Sequence, residues 1–205
     1  MSVMSVFRSR LPAGLKSSLR PLHVRLQTSW RRVYYAIRFA GRNVHVHPTS
    51  WVARRAIIRC TDGGEIVIGR SCEIHDFAMI DAIGGSVVIG DHCSLNPFAI
   101  IYGYGGTRIG SRVRIAAHVV IIPANHNFRS TAPLHEAGVT GKGITIGDDV
   151  WLATGVRVLD GVTVGSYSVV GAGAVVTRSI PENSVATGVP ARAAAMQPEP
   201  SVRSS

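Results

Sequence analysis

Aliphatic residues recur six positions apart along most of this chain. Ile146, Leu152, Val158, Val164, Val170 and Val176 stand on one unbroken register. Four triplets upstream keep the same spacing: Val46, Val52, Ile58; Ile68, Ile74, Ile80; Ile89, Leu95, Ile101; and Ile109, Ile115, Ile121. A helix needs apolar spacing near 3.6 and an exposed strand needs 2, so neither accounts for a strict six. A hexapeptide period predicts a parallel β-helix, in which three hexapeptides close one triangular coil of about 18 residues with a short strand on each side. Each aliphatic anchor then points inward and stacks on its equivalent in the next coil. About six coils, roughly 4.8 Å apart, make a prism ~25–30 Å long.

The breaks in the period are informative. Ile58 to Ile68 is ten residues, Ile80 to Ile89 nine and Ile101 to Ile109 eight. All three excesses fall between triplets, so the extra residues bulge from a single corner. From Ile121 to Ile146 is 25 residues, which predicts one long excursion from that corner at about 122–143. Long loops in compact folds are commonly functional. Glycine follows the anchor at Gly69, Gly90, Gly110, Gly147, Gly165 and Gly171, as corners demand positive φ or close backbone approach. Four residues after the anchor stand Cys72, Cys93, Val113 and Val150, a column of small inward side chains. Buried free cysteine acts there as a small hydrophobe. Cys60 has no CxxC partner, and the odd count of three points to a reducing compartment.

Charge divides the chain. Residues 1–42 hold nine of the 22 Lys/Arg and no acidic residue, whereas the remaining 13 basic residues face 12 acidic ones. The reading is therefore a basic arm over 1–42, a β-helix over 43–190 and a flexible tail over 191–205. Within the arm, Pro21 suits a first helical turn and Gly41 the residue past the end, predicting a helix over 21–40. Leu22, Leu26, Val33 and Ile37 share one face, with Trp30 beside them and Arg25, Arg31, Arg32 and Arg38 around the rest. Such a helix either caps the first coil or lies on an anionic membrane surface. The Arg- and Ser-rich start is also similar to a transit peptide, without the apolar core of a secretory signal. No apolar run reaches the 18 residues of a membrane span. The stacked ends of a short solenoid need covering, so self-association is expected.

Eight histidines are candidates for chemistry. His45, His47, His75, His92 and His118 sit at non-anchor positions of the coils, where a surface role is commoner, and His23 belongs to the arm. His126 differs, because it follows Ile121-Ile122-Pro123-Ala124-Asn125, where the chain leaves the prism. A histidine held by a rigid scaffold and facing a loop-bounded cleft suits a general base near neutral pH.

Longer motifs support a specific resemblance. Ile146-Gly147-Asp148-Asp149-Val150-Trp151, Gly161-Val162-Thr163-Val164-Gly165, Val170-Gly171-Ala172-Gly173-Ala174-Val175-Val176-Thr177, Ile180-Pro181 and Gly188-Val189-Pro190-Ala191-Arg192 follow in order. Together they resemble the hexapeptide-repeat acetyltransferases, in particular the sugar O-acetyltransferases acting on maltose, galactosides, nodulation factors and exopolysaccharides. The match is dense over residues 89–192 and absent from the arm. It implies a left-handed parallel β-helix, acetyl-CoA as co-substrate with no metal, a sugar or lipid-linked glycan acceptor, and a homotrimer whose sites lie between subunits. It implies His126 as the base for the acceptor hydroxyl and Asn96, 30 residues earlier, as an active-site amide. Glu136 stands near the family's loop acid, which orients the histidine, at an offset of about two residues. CoA contacts carry over to Trp151, Thr154, Ala172, Thr177, Arg178 and Arg192, the arginines offering charge-assisted donors to phosphates. Two departures alter the pocket: Ala153-Thr154 stands for the family's Gly-Ala, and Asp160 for a common Pro.

Other readings of the same residues are a γ-type carbonic anhydrase using His92, His118 and His126, an N-acetyltransferase, and a non-catalytic scaffold. The histidine spacings of 26 and 8 do not match the carbonic anhydrase pattern. An acyl-CoA enzyme of this kind is expected in the cytoplasm, with residues 1–42 holding it at the inner membrane face, and no nucleic-acid partner is expected.

Overall fold

The computed structural model describes residues 20–196, with side chains from 28 onward. The chain forms two compact units, Met1–Ala40 and Gly41–Ser205. In the first, helix α1 spans Arg20–Arg38, two residues short of the predicted end, and Gly41 follows with φ +72°. Trp30 stacks on Tyr34 at 5.3 Å, and the Arg38 guanidinium lies over the Tyr34 and Phe39 rings. Trp30, Val33 and Ile37 are exposed. Leu22, Leu26 and Arg25 lie outside the described side chains. No described helix is long and apolar enough to cross a membrane.

The second unit is a parallel β-solenoid of six coils. Face A stacks Val44–Val46, Glu65–Ile68, Ser86–Ile89, Thr107–Ile109, Ile144–Ile146 and Thr163–Val164. Face B stacks Trp51–Val52, Glu73–Ile74, Ser94–Leu95, Arg114–Ile115, Trp151–Leu152 and Val169–Val170. Face C stacks Ile57–Thr61, Met79–Ile83, Ile100–Tyr102, Val120–Ile122, Arg157–Leu159 and Val175–Val176. The predicted anchors are in register from coil to coil, as in Ile68↔Ile89, Ile115↔Leu152 and Val158↔Val176. They form the core: Ile74, Ile80, Leu95, Ile101, Ile115 and Ile121 are fully buried. Burying a side chain of this size contributes about 1.5–3 kcal/mol, so repetition of one contact holds the prism together.

Each edge solves its turn separately. On the A–B edge, Asp91, Ser111, Asp148 and Ser166 form a polar ladder. Asp91 Oδ1 accepts the Arg70 N–H at 2.6 Å, Ser111 Oγ the Asp91 N–H at 3.1 Å, Asp148 Oδ1 the Ser111 N–H at 2.7 Å and Ser166 Oγ the Asp148 N–H at 3.0 Å. This explains the glycines after the anchors. A Cβ on Gly90 would lie 2.7 Å from the Gly110 carbonyl carbon, so close approach excludes a side chain. Positive φ falls two residues later, at Ser71, His92, Arg112, Asp149 and Tyr167. The inward column on this edge bonds to turn carbonyls: Ser50 Oγ donates to Gly69 O at 2.6 Å, Cys72 Sγ to Gly90 O and Cys93 Sγ to Gly110 O. Cys72 and Cys93 are free and buried, and the neighbouring Cys72 thiol together with burial raises the Cys93 pKa.

The extra residues emerge from the C–A edge, and the long excursion leaves after Ile122 and returns at Ile144, as expected. The C-terminal tail begins later than its composition implies. Arg192–Ala195 pairs antiparallel with Ser184–Thr187, so the segment expected to be flexible from 191 is a strand that covers the open end of face B. The last coil leaves unpaired backbone groups there, and the Gly188-Val189-Pro190 turn brings the chain back to satisfy them. Residues 197–205 lie outside the described region.

Candidate active site

Asn96, Thr154 and Ala172 share the B–C edge, one to two residues past the anchors Leu95, Leu152 and Val170. Asn96 Nδ2 donates to Ile115 O at 3.0 Å, which orients its amide on the next coil. Thr154 and Ala172 are exposed, and a Cβ placed on the adjacent Gly173 would meet nothing within 4 Å. The floor of this edge is thus bare over coils five and six.

His126 stands elsewhere. It begins the excursion as part of a short antiparallel ladder, Asn125–His126 against Val139–Thr140, with His126 opposite Val139. Its ring is exposed and makes no hydrogen bond or ion pair among the described residues. The base of the excursion is heavily tied. Asp160 Oδ1 accepts the Lys142 N–H at 2.7 Å and the Gly143 N–H at 3.0 Å, and Oδ2 accepts Asn125 Nδ2 at 3.1 Å. The Gly105 N–H donates to Pro123 O at 3.0 Å, and Tyr104 OH donates to Val139 O at 3.2 Å. Further out, Asn127 Nδ2 donates to Ala137 O at 2.7 Å. Asp160 therefore clamps both ends of the loop one residue from His126. Its replacement of a common Pro was the only signal in the sequence, and it did not reveal that the carboxylate meets three donors.

Glu136 does not reach His126. Its Oε1 lies 3.3 Å from His135 Nε2, an exposed pair of chain neighbours, so the two-residue offset places the acid on a different imidazole. Trp151 projects from face B and is 52% exposed. Thr177 and Arg178 follow the last strand of face C on the C–A edge, and Arg192 lies on the antiparallel strand that closes face B; all three are exposed. One chain thus divides the predicted residues between the B–C edge, the C–A edge and face B. His92, His118 and His126 fall on three different edges, and no described group of three or more His, Cys, Asp or Glu could hold a metal ion.

Residues 143–178 match the model of the bacterial transferase hexapeptide (six repeats). The galactoside O-acetyltransferase of Escherichia coli K12 is 41% identical over 88 residues, covering 41% of each chain. Over these stretches the chain is similar to hexapeptide-repeat acetyltransferases. A Mycobacterium tuberculosis protein named "probable acetyltransferase" is 33% identical over 155 residues, covering 75% of this chain and 48% of its own. The chain spans less than half the length of these curated relatives. Among solved structures, a variant of AntD, an N-acyltransferase from Bacillus cereus in complex with dTDP-4-amino-4,6-dideoxyglucose and coenzyme A, superposes with a TM-score of 0.67. It is 21% identical and covers 79% of this chain and 88% of its own, a likeness of fold.

A groove of about 350 Å³ runs along face A, lined by Ser86, Arg108, Lys142, Thr145 and Thr163 among others, over the glycines Gly106, Gly143 and Gly161. None of the residues expected at the site lines it.

Proposed function

We propose that this protein transfers an acetyl group from acetyl-CoA to a sugar hydroxyl, with His126 as general base. The carrying observation is the division of the candidate residues between two edges. Asn96, Thr154 and Ala172 form one half-site, and the loop bearing His126 projects from another edge. Two copies placed side by side bring complementary halves together, which one chain does not do. Face C fits such packing. Its outward residues are mostly apolar, Ile57, Met79, Ile100, Val120, Ile122, Leu159 and Val175 beside Arg59 and Arg157, whereas face A mixes Val67 and Val88 with His45, Arg108, Thr145 and Thr163, and face B mixes Trp51, Trp151 and Val169 with Glu73, Ser94 and Arg114. Covering such an apolar face favours association, and a trimer is the assembly this reading adopts.

The bare floor of coils five and six fits an extended pantetheine arm, with Thr154 and Ala172 beside it and Trp151, Thr177, Arg178 and Arg192 as further contacts. Bound acetyl-CoA supplies the thioester to be attacked. His126 takes the proton of the attacking sugar hydroxyl and delivers it to the departing thiolate, help of the kind worth about 10²–10⁴-fold. Asn96 Oδ1 holds a second sugar hydroxyl, and the Asp160 clamp fixes the loop so that the imidazole meets the hydroxyl without searching. The exposed Trp30, Val33 and Ile37 of α1, in an acid-free basic segment, support docking of the arm on an anionic membrane surface.

Incubation with acetyl-CoA and a panel of free, nucleotide-linked and lipid-linked sugars tests the reaction. Thiol release and product mass are read together, with His126→Ala as control. An alkali-labile ester is expected; an alkali-stable amide would transfer the reading to amine acceptors, and no thiol release with any acceptor would reduce the chain to a scaffold. Liposome binding that survives deletion of residues 1–40 would remove the arm from membrane docking.

A further inference from the structure

The B–C edge carries a column of side chains three residues past each anchor: Arg55, Phe77, Phe98, His118, Gly155 and Gly173. From Phe77 onward all five have positive φ, between 61° and 72°. Bulky residues rarely adopt that conformation, so the aromatic ones are held against their own preference. Phe77 and Phe98 stack at 5.4 Å with planes 4° apart, and Phe98 and His118 at 5.1 Å with planes 8° apart. The Arg55 guanidinium covers the outer end at 5.6 Å from the Phe77 ring. Phe77 and Phe98 are 43% and 48% exposed, so the column stands on the surface.

The column stops abruptly. The Gly155 N–H donates to Ala117 O at 3.0 Å and the Gly173 N–H to Thr154 O at 2.9 Å, which places both glycines in line below His118. The other corner residues also become small there: Ala116 and Ala117 in coil four, Ala153 and Thr154 in coil five, Gly171 and Ala172 in coil six. His118 is therefore the last large corner side chain before a bare stretch two coils long. The proposed reading places the CoA arm on coils five and six and Asn96 on coil three. The thioester must then lie at the level of coil four, against His118.

We propose that His118 is the acyl-length stop of this site, a specificity-determining residue that closes the edge groove just beyond an acetyl group. The inference rests on the acyl-CoA reading above. A chain longer than acetyl runs into the imidazole, which cannot retreat because the Phe98 ring is stacked behind it. Removing the ring opens the space of one coil.

The test titrates the full-length protein with CoA, acetyl-CoA and butyryl-CoA by calorimetry, which needs no acceptor. In the wild type, butyryl-CoA is expected to bind on the order of tenfold more weakly than acetyl-CoA. In His118→Gly, which keeps a residue suited to positive φ, the preference disappears or reverses, since each newly buried methylene strengthens binding about fourfold. Phe77→Gly, two coils away, leaves the wild-type ratio in place. Gly155→His lengthens the column by one rung and reduces CoA affinity at least about tenfold while the circular dichroism spectrum is retained. A wild-type ratio in His118→Gly, an equal shift in Phe77→Gly, or undiminished CoA binding in Gly155→His each overturns the length stop. Absence of CoA binding in the wild type overturns the acyl-CoA reading itself, and the length stop with it.

Discussion

The A–B and B–C edges repeat the same turn, with one left-handed residue in each coil from the second to the sixth, yet they are furnished differently. On the A–B edge that residue is Ser71, His92, Arg112, Asp149 and Tyr167, and a polar ladder of Asp and Ser knits the second coil through to the sixth. On the B–C edge the same position runs Phe77, Phe98 and His118 and then Gly155 and Gly173, without side chains. One edge is built alike along most of its length, and the other is filled over four coils and bare over the last two. The turn does not require the difference, so the bare two coils are where a ligand has room.

Substitutions can break or sharpen this contrast. The largest effect belongs to the excursion loop, which the proposed function sets against a neighbour's bare edge: His126→Ala is expected to lower turnover by roughly 10²–10⁴-fold. Asn96→Ala is also expected to be impaired. Mixing the two inactive variants under conditions that exchange subunits should restore part of the activity, read as thiol release. No recovery in demonstrably mixed oligomers would place the site within one chain.

Gly90→Ala probes the knitted edge. Its Cβ meets the Gly110 backbone, so a destabilisation of about 1–3 kcal/mol is expected in thermal or denaturant unfolding, with CoA affinity per folded molecule unchanged. If the variant unfolds like the wild type, close approach is not what holds glycine there. Asp160→Ala removes the acceptor shared by Lys142, Gly143 and Asn125 at the loop base. Turnover should fall about tenfold with little change in acetyl-CoA affinity, because the base is misplaced and the CoA floor is not. Asp160→Asn, keeping one acceptor oxygen, should recover part of it. An effect confined to unfolding temperature would make the clamp purely structural.

The smallest effect is expected at the exposed Arg112–Asp149 pair, where Arg112 Nε and Nη2 reach Asp149 at 2.8 and 2.7 Å. The hydrogen bond and charge of Arg112 lower the Asp149 pKa. The pair's contribution is therefore present above the ordinary carboxylate range and lost as pH falls through the depressed value. Arg112→Gln should be slightly less stable than the wild type near neutral pH, and the two should converge in acid. A difference that grows in acid would contradict this sign.

The legible part of the fold was the part that repeats. Ile68, Ile89 and Ile109 could be aligned in the sequence because each fills the same inward place, and the 25-residue gap after Ile121 marked the loop for the same reason. His126 stood out as the first histidine beyond the ordered register. Less could be read where a partner is remote in the chain. The spacing to Glu136 did not show that this acid would face His135, and Asp160 gave no sign of the three donors it meets. The strand at Arg192–Ala195 was hidden because its Ala-rich composition carries no period, and only the open end of face B makes it a strand.

By itself the sequence determined the prism, its coil count and the corner from which the loop departs, since those depend on a period that local hydrophobicity writes directly. Tertiary structure alone decided that Asn96 and His126 belong to different edges and that the aromatic column ends at His118. Both depend on which corners stack across coils about 20 residues apart, and that information resides in the closed prism rather than in any one hexapeptide.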